Sequence, residues 1–268
     1  MTMQGSLLQD KIAVIHGGSG AIGGAVARAF AREGARVHLT ARHREGLERV
    51  AQDIAAAGGH AAITTLDAMD ADAIEAHAQA VAESEGRIDI ALNAVGIVHV
   101  QGPTFAELSV QDYLQPIADY NRCNFLTAQA AAKRMRSGGV LLTLSTPGSR
   151  MSGVGFLGYG ATCASIEAFS RLLAGELGPA GIRVVCLRPH AIPDALPRSH
   201  ARQVFAESAR RAGVSIEAML EEAARTGTLL GRLPTLQQVA DYAAFVASDR
   251  AAAMTGAVAN LSCGALVD

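Results

Sequence analysis

Short apolar runs alternate with longer amphipathic stretches along most of the chain. The runs have the length and composition of strands that are buried in a parallel sheet. In the stretches between them, hydrophobic residues recur every three or four positions, which predicts helices with one buried face. The predicted strands cover residues 12–15, 37–40, 61–66, 88–95, 140–144, 182–187 and 257–261.

This alternation predicts a doubly wound α/β fold of the Rossmann type, a seven-stranded, mostly parallel sheet with helices on both faces. Two of the helices are expected to be long, over residues 121–135 and 157–177. No break in composition or linker divides the chain, so residues 1–268 are expected to form a single domain. An amphipathic helical segment without a strand covers about 190–230, and we expect it to form a substrate lid.

Composition and charge exclude several classes of partner. Half of the 268 residues are hydrophobic and the net charge is −2, which argues against a basic nucleic-acid binder. No apolar run approaches the roughly 18 residues of a membrane span, so no membrane partner is expected. Four widely spaced cysteines form no Cys-x-x-Cys pair. They predict reduced thiols in a cytoplasmic protein, without a metal site.

A glycine-rich segment follows the first predicted strand and leads directly into a helix. Residues 16–24 read His-Gly-Gly-Ser-Gly-Ala-Ile-Gly-Gly. Small residues allow a tight turn and close approach to a pyrophosphate, and the helix N-terminus offers unpaired N–H groups. This pattern predicts a dinucleotide site. Its expected contacts are Gly17, Ser19, Gly20, Ala21, Ile22 and Gly23.

The end of the second strand bears on the choice of cofactor. An acidic residue there would bind a ribose 2′-hydroxyl and repel a 2′-phosphate. From the end of this strand no acid occurs until Glu45, and Arg42 and Arg44 follow the strand. A guanidinium can bind a phosphate with two hydrogen bonds, so we expect NADP(H) and not NAD(H). The alternative is that these arginines are simply solvated at a helix start.

Together with later motifs, these features resemble the short-chain dehydrogenase/reductase (SDR) family over nearly the whole chain. The family's Thr-Gly-x-x-x-Gly-x-Gly falls on His16, Gly17, Ala21 and Gly23. Further matching positions are 66–67, 93–96, 159, 181–184, 231–232 and 255–256. The resemblance implies more cofactor contacts, at Asp67, Ala68, Asn93, Ala94, Pro189, His190 and Ile192.

The resemblance also implies a catalytic set. In this family a tyrosine exchanges a proton with the reacting oxygen, a serine holds that oxygen, and an asparagine belongs to a proton relay. Tyr159 matches the tyrosine. Thr146 has the family spacing and Ser145 the family residue type, so either hydroxyl can serve, with Ser145 slightly favoured. Asn121 is expected to act in the relay, although Tyr120 takes the aligned position.

One departure from the family is serious. A lysine normally stands four residues after the tyrosine, where it lowers the phenol pKa, and here that residue is Cys163. The only lysines are Lys11 and Lys133, and neither is placed to replace it. An unassisted phenol stays protonated at neutral pH, which favours reduction over oxidation. His190 is a possible further proton donor.

The sequence therefore predicts an atypical NADP(H)-dependent oxidoreductase that acts on a small carbonyl or alcohol substrate. The protonation argument above favours reduction as its direction. The resemblance implies a homo-oligomer, a tetramer or dimer. The alternative is a pseudoenzyme that binds the nucleotide with little or no hydride transfer. No motif specifies the substrate.

Overall fold

The computed structural model describes residues 6–267. Across these residues, seven parallel strands form one sheet in the order β3-β2-β1-β4-β5-β6-β7. This confirms the predicted Rossmann-type sheet. The strands are β1 (Ile12–His16), β2 (Arg36–Ala41), β3 (His60–Thr65), β4 (Ile90–Asn93), β5 (Val140–Leu144), β6 (Arg183–Pro189) and β7 (Ala257–Leu261).

Helices cover both faces of the sheet because successive side chains of each strand point to opposite sides. Ala13 and Ile15 of β1 pack in one core cluster with α1, α2 and α8. Ile12 and Val14 pack in the other with α3, α4 and α5. The helices are α1 (Ala21–Arg32), α2 (Arg44–Ala56), α3 (Ala71–Glu85), α4 (Val110–Ala132), α5 (Leu157–Leu177), α6 (Ala201–Ala212), α7 (Ile216–Gly227) and α8 (Leu236–Ala247).

The helix α4 begins eleven residues before its predicted start at 121. Ser109 caps it, and its Oγ accepts a hydrogen bond of 3.0 Å from the Asp112 backbone N–H. Pro116 lies between the predicted and observed starts and is buried inside the helix. Proline usually ends a helical pattern, which accounts for the difference.

The strand β4 is shorter than the predicted 88–95. At its carboxyl end, the side-chain oxygen of Asn93 accepts a hydrogen bond from the Val95 N–H at 3.2 Å, which turns the chain out of the sheet. A strand pattern continues through this turn in the sequence because Val95 is itself apolar.

Between β6 and α8 the chain forms a 3₁₀ turn (Pro193–Arg198) followed by α6 and α7. This segment lies against the loop after β4. A Cβ at Gly96 would lie 2.3 Å from the ring of His200, and Arg211 of α6 pairs with Glu107 at 2.8 Å. Within residues 6–267, no helix is long and apolar enough to cross a membrane.

Candidate active site

The glycine loop lies between β1 and α1, next to the point where the sheet order passes from β1 to β4. Gly17 has φ +77°, and a Cβ there would lie 2.5 Å from the Ala94 carbonyl oxygen. A Cβ at Gly23 would lie 2.3 Å from the Gly17 carbonyl oxygen. Both positions therefore require glycine, and the lack of side chains there lets a pyrophosphate approach the backbone.

The start of α1 leaves backbone donors open. Gly20 is its N-cap residue and supplies no side-chain cap. These N–H groups and the helix dipole suit a phosphate. Ala21 and Ile22 pack beside Ile192, so the predicted contact residues at 21, 22 and 192 lie together.

The second predicted phosphate site lies where β2 meets α2. Arg42 is exposed and forms no ion pair with any residue in 6–267. Arg44 instead pairs with Glu48 at 2.7 Å. Ser19 of the glycine loop lies close by, because a Cβ at Gly46 would be 2.8 Å from the Ser19 Cβ. Arg42 is thus the arginine that remains available for an anion here.

The remaining predicted cofactor contacts follow the carboxyl ends of β3, β4 and β6. Asp67 is exposed and accepts a hydrogen bond from the Met69 N–H at 3.0 Å, next to buried Ala68. Asn93 donates to Asn124 at 3.0 Å. After Pro189, the His190 Nδ1 accepts a hydrogen bond of 2.6 Å from the Ala191 N–H, which leaves its proton on Nε2.

Tyr159 lies in the first turn of α5, beside Thr146 and Cys163. Burial raises the Tyr159 pKa well above its usual value; neighbouring Cys163 and Tyr120 add to this, while a hydrogen bond with Thr146 opposes it. The Thr146 Oγ1 and the Cys163 Sγ are 3.3 Å apart. Burial also raises the pKa of Cys163 to about 11. The phenol and the thiol are therefore both neutral at pH 7.

Ser145 and Thr146 point to different partners. The Ser145 hydroxyl donates to Glu167 Oε1 at 2.7 Å, and the Ser149 hydroxyl donates to the same oxygen at 2.6 Å. Arg188, which is buried, lies 3.4 Å from the other carboxylate oxygen. Of the two candidate hydroxyls, only Thr146 is among the groups that shift the Tyr159 pKa, and the choice between them stays a prediction.

The predicted relay residue Asn121 has other partners. Its amide nitrogen donates to the Ile117 carbonyl at 2.6 Å and to the Ser165 hydroxyl at 2.7 Å. The ring of Tyr120 instead lies edge-on to Tyr159, with centroids 6.2 Å apart. Tyr120, which takes the aligned position, thus lies beside Tyr159, and the role of Asn121 in a relay stays a prediction.

Both lysines form ion pairs elsewhere. Lys11 pairs with Asp249 at 3.3 Å, and Lys133 pairs with Glu75 at 3.2 Å. The groups that shift the Tyr159 pKa include no cation from the described part of the chain. The phenol therefore has no positive neighbour to stabilise its ionised form.

His99 and Gln101 are site neighbours that the sequence analysis missed. The imidazole of His99 stacks on the Tyr159 ring with centroids 3.9 Å apart and an interplanar angle of 7°. Gln101 hydrogen-bonds this imidazole at 2.9 Å. Both residues lie in the loop after β4, where no periodicity predicts which way a side chain points.

Comparisons with known proteins agree with this geometry. A family model described as enoyl-(acyl carrier protein) reductase matches residues 18–265. The chain is 30% identical to D-threitol dehydrogenase of Mycolicibacterium smegmatis, covering 93% of this chain and 90% of the relative. It is also 30% identical to L-rhamnose 1-dehydrogenase (NAD(P)(+)) of Azotobacter vinelandii, covering 94% of each.

Solved structures show the same fold. A dehydrogenase/reductase from Sinorhizobium meliloti has a TM-score of 0.84 at 28% identity, covering 99% of both chains. A short-chain dehydrogenase from Burkholderia cenocepacia in complex with NADP has a TM-score of 0.81 at 26% identity, covering 97% of this chain and 99% of that one. The chain belongs to the short-chain dehydrogenase/reductase family, whose members are oxidoreductases that use nicotinamide cofactors.

Proposed function

We propose that the protein is an NADP(H)-dependent reductase of small carbonyl compounds with an atypical active site. The observation that carries this proposal is the neutral Tyr159, beside Thr146 and Cys163, at the carboxyl edge of a sheet that also holds the glycine loop. The cradle formed by Gly17 and Gly23, which any Cβ would fill, fits a dinucleotide pyrophosphate.

In this proposal, Tyr159 and Thr146 act on the substrate oxygen. A nicotinamide held by the glycine loop would supply the hydride for the carbonyl carbon. Tyr159 gives its Oη proton to the oxygen that becomes an alcohol, and the Thr146 hydroxyl holds that oxygen in place. A protonated phenol suits this direction because it is a proton donor in its resting form.

We propose that Cys163 occupies the position of the family lysine. A cation about 4 Å from the phenol, at an effective dielectric constant near 20, would stabilise the phenolate by up to roughly 4 kcal/mol. This corresponds to about three pKa units. The thiol supplies no such charge, so the site is a poor base for oxidising alcohols and remains an acid for reduction.

Arg42 supports NADP(H) as the cofactor. It is exposed at the end of β2 and has no carboxylate partner in residues 6–267, and Gly46, four residues further on, lies against Ser19 of the glycine loop. The short-chain dehydrogenase from Burkholderia cenocepacia that was solved with NADP has the same fold.

We also propose that the segment at about 190–230 closes over the substrate as a lid. Its contacts with the loop after β4, through His200 and Arg211, support this.

As an assembly we propose a homo-oligomer, a tetramer or dimer, since exposed apolar side chains lie on α4 and α5 at Leu114, Phe125, Leu157 and Leu172. Light scattering at micromolar concentration tests this, and a monomer mass would contradict it. The buried free thiols Cys123, Cys163 and Cys186 support a cytoplasmic location.

The function is tested by mixing the purified protein with NADPH and a panel of ketones and β-ketoacyl thioesters. We expect NADPH to be consumed, seen as loss of its absorbance. Tyr159→Phe should bind NADPH normally and lose at least about a hundredfold in turnover. Tight NADPH binding without turnover of any carbonyl would instead indicate the nucleotide-binding pseudoenzyme.

A further inference from the structure

A polar wall made by His99 and Gln101 lies directly on Tyr159. The two side chains are 7% and 4% exposed, although both carry hydrogen-bonding groups. Polar side chains this deeply buried are costly unless they find partners. The mechanism above uses neither of them, so their position beside the reacting phenol needs another explanation.

The hydrogen bonds of His99 define its protonation. Its Nδ1 lies 2.8 Å from the Ile97 carbonyl oxygen, which can only accept, so the proton is on Nδ1. Burial lowers the His99 pKa to about 4, so the ring is neutral at pH 7. Its Nε2 is then an acceptor and takes a hydrogen bond from the Gln101 amide nitrogen at 2.9 Å.

This bond also orients the Gln101 amide. With its nitrogen on His99, the Oε1 atom faces away from the imidazole and forms no hydrogen bond with the described residues. It is not sealed from solvent either, unlike the buried unpaired atoms of His77 and Asn260. The wall therefore offers an open acceptor next to a ring that stacks 3.9 Å from Tyr159.

The lid segment adds to the polar character of this region. His200 lies against Gly96, where a side chain larger than hydrogen would collide with it. His200 is also close enough to His99 to contribute to the lowering of the His99 pKa. A substrate that reaches the Tyr159 phenol thus meets imidazole and amide groups, which suit hydroxyl groups better than an alkyl chain.

We propose that Gln101, oriented by its hydrogen bond to His99, determines specificity by binding a hydroxyl group on the carbon next to the reacting carbonyl. The substrate class is then hydroxy ketones and related polyol- or sugar-derived carbonyls. This inference rests on the proposed reductase function. A site built to bind a hydroxyl rejects the analogue that lacks it, because its buried polar groups are left unpaired.

The test compares two ketones of nearly equal size, hydroxyacetone and 2-butanone, which differ by a hydroxyl in place of a methyl group. We expect kcat/KM with NADPH to favour hydroxyacetone by about tenfold or more, as one or two neutral hydrogen bonds would give. In His99→Phe, which keeps the aromatic stack, and in Gln101→Met, which keeps the side-chain length, this preference should fall to about threefold or less. Gln79→Met, on the exposed face of α3, is the matched control and should keep the preference.

Activity on 2-butanone separates specificity from damage to the fold. It should fall by less than activity on hydroxyacetone in both variants if the wall recognises the hydroxyl. Equal kcat/KM for the two ketones in the wild type would overturn the inference and leave the reductase function intact. So would an equal loss on both ketones in each variant.

A binding measurement covers the case in which no ketone turns over. Hydroxyacetone and 2-butanone are titrated calorimetrically into the NADPH complex of Tyr159→Phe. Preferential binding of hydroxyacetone that is lost on adding His99→Phe would support the recognition while the reductase function fails. Binding without preference, or none at all, would overturn the inference.

Discussion

Introducing a lysine at Cys163 tests directly whether the phenol lacks a cation. Cys163 follows Tyr159 by one helical turn on α5, so a side chain there lies on the same face as the phenol. The position is 1% exposed, and its sulfur is 3.3 Å from the Thr146 hydroxyl. A lysine must therefore extend from a buried site towards the open crevice.

The expected size of the effect follows from this geometry. An ammonium about 4 Å from the phenol contributes up to roughly 4 kcal/mol, or about three units of Tyr159 pKa. Oxidation needs the phenolate, so its pH optimum should move down by up to about three units. Reduction uses the protonated phenol and should change far less. An ammonium held in the crevice without a partner should also lower the stability of the cofactor-free protein by several kcal/mol.

The assay is the pH–rate profile of NADP⁺-dependent alcohol oxidation, with NADPH-dependent reduction measured in parallel. Cys163→Met is the matched control, since it is long and unbranched but uncharged. Identical profiles for Cys163→Lys and Cys163→Met would refute the electrostatic argument. Brisk wild-type turnover in both directions that Cys163→Lys abolishes would show that Cys163 or His190 carries the proton transfer instead.

Three further predictions concern the cofactor, the buried carboxylate and acid stability. Arg42→Ala should reduce the preference for NADPH over NADH by at least about tenfold in cofactor titrations, whereas Arg44→Ala, whose arginine is already paired, should not. Glu167→Gln should lower the free energy of unfolding in urea by up to about 3–5 kcal/mol, because it removes the negative charge that lies 3.4 Å from the buried Arg188 guanidinium. Burial lowers the pKa of His16 to about 3 and of His77 to about 4, so stability should be full above pH 6.5 and fall as the pH drops towards these values. At pH 5 each histidine should lower the free energy of unfolding by about 2 kcal/mol. In His77→Leu, the difference in unfolding free energy between pH 7 and pH 5, measured from denaturation curves, should be smaller.

The fold could be predicted because its signals are local. Each strand is a short apolar run, and the glycines at 17 and 23 stand where the backbone leaves no room for a Cβ. The start of α4 could not be predicted from the sequence, because Pro116 inside the helix outweighs the signal of Ser109 as its cap. Burial and packing decide whether a helix continues through a proline, and a single sequence does not contain them.

The residues of the candidate site also divide into those that the sequence could predict and those that it could not. The resemblance to the family was sufficient to single out Tyr159, and it left Ser145 and Thr146 undecided. Neighbouring residues at a strand end face different ways, and the contact of Ser145 with Glu167 depends on a residue 22 positions later in the chain. His99 carries no sequence signal at all, since a loop residue becomes a site residue only through the path that the backbone takes.

The charges around Tyr159 support a site that donates protons. Glu167, on the same helix two turns further on, already binds Ser145, Ser149 and Arg188. Its charge is therefore matched by a buried guanidinium, and neither group appears among the causes that shift the phenol's pKa. The nearest groups, Thr146, Cys163 and His99, are all neutral at pH 7. Because burial outweighs the Thr146 hydrogen bond, and no cation of residues 6–267 is among the groups that shift this pKa, the phenol keeps its proton until a substrate oxygen accepts it. This protonation state supports the proposed direction, reduction.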